Sequence, residues 1–175
     1  MKKKVFVESG DIAQIQADVL ITAINSQGIW SGGIDNVIYQ VAGNFFHSYA
    51  LKKMPLKDGQ TILALGKGYK HSGLFSNVIF VVDDLKKPLH EIIYAGLKTC
   101  SDAGFKTVLI PTIRMGVMLG VVEKNKHSTI TRLHQGVWNF FAMNKDHNLE
   151  KITFVVYNDT DTELLLKQLI YESVA

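Results

Sequence analysis

Cysteine is nearly absent from this 175-residue chain: Cys100 stands alone. A single thiol excludes an intrachain disulfide and a cysteine-built zinc site. It also fits a reducing compartment, so a cytoplasmic location is the expectation. Long apolar runs are missing at the start, where Val5, Phe6 and Val7 give way at once to Glu8. That stretch is far too short for a signal peptide or a membrane span, and no membrane partner is expected. Net charge is small, with 19 basic against 16 acidic residues leaving +3. Such a balance favours an anionic ligand but is too weak to argue for nucleic acid, because Lys2-Lys3-Lys4 is a short terminal run with no long basic stripe after it. Repeats, linkers and low-complexity tracts are also lacking. With 47% apolar residues, residues 1–175 read as one domain with one core.

Several chemistries are excluded by missing motifs. Gly66, Gly68 and Gly73 have the wrong spacing for a dinucleotide fingerprint, and no Gly-Lys-Ser or Gly-Lys-Thr exists for a nucleotide P-loop. The histidines His47, His71, His90, His127, His134 and His147 are scattered, and none forms a helical metal pair four residues apart, so no metal site and no cofactor are expected. A nucleophile elbow is absent, which leaves covalent hydrolase chemistry without support.

What is present centres on Asn25 to Gly43. An apolar run, Asp18 to Ile24, has the length and β-branched content of a buried strand. After it, Ile34, Val37, Ile38, Val41 and Ala42 fall at helical spacing, and Gly43 is placed to end that helix in a left-handed conformation. The helix therefore starts beside Gly32-Gly33. Two glycines let backbone approach a ligand closely, and the free amides and positive dipole end of a helix start attract an anion such as phosphate. A tight turn with no ligand is the alternative. Asn25 at the strand end and Asp35 in the first helical turn both face the crevice where open α/β sheets bind ligands.

The rest of the chain alternates in the same way. Strands are expected at Lys4 to Glu8, Thr61 to Leu65, Asn77 to Val82, Thr107 to Ile110 and Lys151 to Tyr157. Ile12 to Ala17 reads as a helical turn that Asp11 caps, and Phe45 to Asp58 as a polar connection. Pro88 opens a helix with Leu89, Ile92, Ile93, Leu97 and Cys100 inward, and Asn125 to Asn144 forms a longer one. Thr160 to Glu163 has the capping-box pattern ahead of a last helix. The alternation predicts an α/β sandwich. In it the loops Gly28 to Gly33 and Thr112 to Gly120 lie on one rim of the sheet.

These residues resemble the macro domains that bind ADP-ribose. Gly10-Asp11-Ile12 looks like the family's Gly-Asp-Ile element, Thr22-Ala23-Ile24-Asn25 like its Asn-Ala-Ala-Asn strand end, and Val41-Ala42-Gly43 like the end of its first long helix. Asn25 and Asp35 stand ten residues apart, as in the branch that hydrolyses mono-ADP-ribose from proteins. The resemblance implies a three-layer α/β/α sandwich on a mixed, mostly parallel sheet of about six strands. It implies that Asp11 and the Ile12 backbone meet adenine, and that Tyr157, with Asn158 beside it, stacks on the base. Gly32, Gly33 and Ile34 would approach the diphosphate together with the second loop, Met115, Gly116, Val117, Met118 and Arg114, whose guanidinium either pairs with a phosphate or stands solvated. Asn25 would hold the distal ribose and Asp35 would orient or activate water, without a metal. The partner is then ADP-ribose or an ADP-ribosylated protein, and the activity removal of ADP-ribose from protein or deacetylation of O-acetyl-ADP-ribose. A reader module that binds without turnover is the alternative. The chain departs from the family where Trp30 and Ser31 interrupt the glycine run, where the second loop is one residue longer between glycines, and where Met118 stands near the place of an aromatic.

Overall fold

The computed structural model describes residues 4–28 and 33–174, so the expectation for Gly32 lies outside the described residues. In chain order come β1 (Val5–Ser9), a 3-10 turn (Ile12–Gln14), β2 (Ala17–Ile24), α1 (Gly33–Ala42), α2 (His47–Leu51), β3 (Thr61–Ala64) and β4 (Phe75–Val82). They are followed by α3 (Leu89–Asp102), β5 (Thr107–Pro111), α4 (Lys126–Met143), β6 (Lys151–Val156) and α5 (Thr160–Val174). The six strands lie in the order β1-β6-β5-β2-β4-β3. Neighbouring strands run parallel except β3 against β4, which is the mixed, mostly parallel sheet expected.

Helices cover both faces, which is why the central strands are apolar without alternation. Val19 and Ile21 of β2 pack with α3, α4 and α5, whereas Leu20 and Ile24 pack with α1 and α2. The single core expected is thus two apolar clusters, one on each side of the sheet. On the first side α3 and α4 approach closely through Gly136, where an added Cβ would stand 2.6 Å from Ile93 Cβ. Cys100 is fully buried there, and burial pushes its thiol up to about 12.

Two local expectations are corrected. The connection from Phe45 to Asp58 contains α2, because Phe46 and Ala50 are both fully buried and hold a five-residue helix that has no long periodicity to announce it. The cap of α5 is Asp159 and not Thr160: its carboxylate accepts from Thr162 N at 3.2 Å and from Thr162 Oγ1 at 2.6 Å. By contrast Gly43 ends α1 as expected, at φ +56°.

Candidate functional site

Parallel pairing puts the carboxyl ends of β1, β6, β5, β2 and β4 on one rim, where exit loops of such sheets hold ligands. Along that rim the β1 exit carries Asp11, the β6 exit Tyr157 and Asn158, the β5 exit the loop through Gly116, and the β2 exit Asn25. From β1 to β2 is three strand spacings, roughly 14 Å in all.

The two residues expected at adenine are neighbours. Ser9 pairs with Val156 in register, and Gly10 N donates to Val156 O at 2.9 Å, which ties the first exit loop to the residue preceding Tyr157. Asp11 Oδ1 accepts from Ala13 N at 3.0 Å. It therefore serves as the turn's cap, and it remains at the surface beside the buried Ile12. Tyr157 is 77% exposed, so its ring is not the half-buried strand residue that a purely structural role would make it. Asn158 turns the chain at φ +50°.

At the β2 exit, Asn25 Oδ1 accepts from Gln27 N at 3.1 Å, an Asx turn that fixes the side chain at the strand end. The loop is held sideways by Ser26 N donating to Asp84 Oδ1 at 2.8 Å. Gly33 opens α1 at φ +54°, a conformation that costs a side-chain-bearing residue but not glycine. Ile34 is half-buried against the core beneath α1, leaving only its backbone for the rim. Asp35 sits in the first turn of α1. Its Oδ1 lies 3.1 Å from His47 Nε2, with the Asp35 side chain 15% exposed and that of His47 fully buried. The imidazole, packed against Phe80, thus fixes one carboxylate oxygen.

The second loop departs from the expectation for Arg114. Its guanidinium is not solvated, and two buried carboxylates claim the donors that a phosphate would need. Nε and Nη2 donate to Asp83 at 3.0 and 2.7 Å, Nη1 donates to Glu123 at 2.9 Å, and Nη2 also reaches Lys87 O at 2.7 Å. Burial works against the charge, yet Asp83 and Glu123 outweigh it and raise the guanidinium above its ordinary value. Glu123 Oε2 further accepts from Leu89 N at the start of α3. The backbone of Arg114 is left-handed, at φ +65°, a conformation disfavoured for a residue with a side chain and maintained here by this network. Met115 packs inward as well. Beyond them the loop opens: a Cβ at Gly116 would meet nothing within 4 Å, and Val117, Met118, Leu119 and Val121 are exposed.

Asp11, Asn25, Asp35, Gly116 and Tyr157 thus lie at strand exits or a helix start of one rim, while three side chains that hold Asp35 and Arg114, namely His47, Asp83 and Glu123, belong to no motif in the sequence. They lie 12, 31 and 9 residues from their partners, separations that carry no local signal. Asp83, as the first residue past a buried strand, is the one that position alone would have marked.

No family model matches the chain. It is 27% identical over 126 residues to the O-acetyl-ADP-ribose deacetylase of Escherichia fergusonii, covering 67% of this chain and 71% of that protein. To the ADP-ribose glycohydrolase MACROD2 of Xenopus laevis it is 20% identical over 172 residues, covering 95% of this chain but only 40% of the relative. Among solved structures, the Trypanosoma brucei macrodomain in complex with ADP-ribose superimposes with a TM-score of 0.78 at 16% identity, over 95% of this chain and 68% of the other. An Oceanobacillus iheyensis macrodomain with MES bound gives 0.72 at 17% identity, over 96% and 90%.

Proposed function

We propose that this chain, which has the macrodomain fold, binds ADP-ribose along the carboxyl rim and there hydrolyses either the bond from ADP-ribose to a modified protein or the acetyl ester of O-acetyl-ADP-ribose. The observation that carries the reading is the order of side chains along the rim. Asp11 and Tyr157 stand together at one end, the open Gly116 loop comes between, and Asn25 with the start of α1 is at the other. Adenine would lie flat on Tyr157 with its amino group toward Asp11. The diphosphate would meet backbone amides near Gly116 and at the start of α1, where the dipole favours negative charge. Asn25 would hold the distal ribose, and Asp35, one oxygen tethered to His47, would aim a water with the other.

Names of relatives at low identity support this reading: a deacetylase of O-acetyl-ADP-ribose and a glycohydrolase of ADP-ribose. One observation favours the alternative of a reader without turnover. Both Asn25 Oδ1 and Asp35 Oδ1 already have protein partners, so neither oxygen is open to a substrate without giving up a contact of the fold.

Thermal melts with ADP-ribose, ADP, AMP and NAD test binding, since a ligand of the native state raises the midpoint by mass action. ADP-ribose is expected to give the largest rise, and Gly116→Glu, which introduces a carboxylate into open space beside the diphosphate, to abolish it. No rise with any of the four ends the proposal. Release of acetate from O-acetyl-ADP-ribose, or of ADP-ribose from a modified acidic side chain, tests turnover. Binding without either reaction leaves the reader.

A further inference from the structure

The lysines of this chain are unevenly spread. Residues 43–82 hold Lys52, Lys53, Lys57, Lys67 and Lys70 against the single carboxylate of Asp58, a net +4 in a chain whose total is +3. In sequence they are scattered over the nineteen positions from 52 to 70, with Lys52 and Lys53 adjacent, and make no stripe. The fold gathers several of them around a row of rings at the rim opposite the one described above, where β3 ends and β4 begins. Phe45 and Tyr69 stack with ring centres 3.9 Å apart and planes within 3°, and Tyr49 meets Phe45 edge-on at 6.0 Å. Lys52 Nζ stands 5.8 Å over the Tyr49 ring. Tyr69 itself lines a groove of about 810 Å³ with Lys67, Lys70 and His71, the His71 ring lying 6.2 Å from that of Tyr69 at 21°. Tyr69 keeps 44% of its surface exposed.

The platform is fixed from beneath. Tyr69 N donates to Gly66 O at 2.8 Å, Gly66 N donates to Asn77 Oδ1 at 2.9 Å, and Asn77 Nδ2 donates to Asp18 O at 2.8 Å. A part-exposed ring at the end of an aromatic stack, flanked by ammonium groups, combines base stacking with neutralisation of a phosphate backbone. We propose that this rim is a docking surface for single-stranded nucleic acid. Lysine, a hydrated point charge, suits tracking of phosphates without a fixed register. An acidic peptide would use the lysines and leave the ring idle, and a duplex keeps its bases stacked away from it.

The test is fluorescence anisotropy of a labelled single-stranded oligonucleotide of about 12 residues, titrated with the whole chain. Binding is expected to weaken steeply between about 50 and about 200 mM salt. Tyr69→Ala is expected to weaken it roughly tenfold or more, and Tyr69→Phe to leave it intact. The exposed pair Lys52→Glu with Lys70→Glu should abolish it and also serves if Tyr69→Ala fails to fold. The ADP-ribose melt shift should be unchanged in all these variants, which separates this surface from the other rim. Three outcomes overturn the proposal: no binding at the lower salt, equal binding of a duplex or of polyglutamate, or unchanged affinity on loss of both lysines.

Discussion

At the residue scale, the pairing of Asp35 with His47 and the burial of Arg114 make opposite predictions for function and stability. If Asp35 orients water, Asp35→Ala keeps ADP-ribose binding within a few fold and loses turnover by roughly a hundredfold or more, as removal of a general base does. His47→Phe fills the same buried space and releases the carboxylate, so it should lower turnover with little change in the melt shift. An unaltered rate in both variants would return Asp35 to a helix-supporting role. Arg114→Leu leaves Asp83 and Glu123 buried without their cation, at a cost of about 3–5 kcal/mol, read by urea unfolding. Arg114→Lys, which cannot reproduce the fork of five donors, should recover only part of it.

At the scale of elements, the contact between α3 and α4 has no room for growth. Because a Cβ at Gly136 meets both Ile93 and His90 O at 2.9 Å or less, Gly136→Ala should lower stability by about 1–3 kcal/mol, measured as a shift in the urea midpoint. The long helices were legible because their apolar residues repeat at a fixed period, and the central strands because each is a short, continuous apolar run. Asn25, Asp35, Asp11 and Tyr157 were legible because each sits just past such a strand or at a helix start. What was not legible had no period. The five residues of α2 hold their shape through the burial of Phe46, and Arg114 stayed open between a phosphate and solvent because nothing near it in sequence showed the two carboxylates that claim it. The cap at Asp159 was misread by one residue for a similar reason, since both Thr160 and Asp159 have the chemistry to cap and only the position of Thr162 decides.

At the scale of the whole molecule, proton uptake should govern stability on the acid side. Burial lowers His134 from its ordinary 6.5, burial likewise lowers His71 against a backbone bond to Phe75, and burial with the charge of Lys4 lowers His147. All three take up a proton less readily in the fold than in the unfolded chain, so their contribution is full above pH 6.5 and is lost as the unfolded chain takes up protons below it. Asp159 adds to this further down. Burial opposes its ionisation, but bonds from Lys126 and Thr162 prevail and hold it below the usual carboxylate range, so its contribution is lost as pH falls past 3.8. The melting temperature should therefore be level from pH 8 to near 6.5 and decline toward 5, and His134→Gln should flatten part of that decline.

The arginine fork at the base of the second loop has a consequence for how this chain can change. It nails the first half of the loop to the start of α3 and leaves the half from Gly116 to Val121 outside the anchored part. Shape at the mouth of the rim is thereby uncoupled from integrity of the sheet, so new side chains can be tried at the tip while the pillar beneath stays put. If the rim binds ADP-ribose as proposed, swapping the tip for an aromatic-bearing segment should alter which nucleotides are favoured and leave the unfolding midpoint where it was.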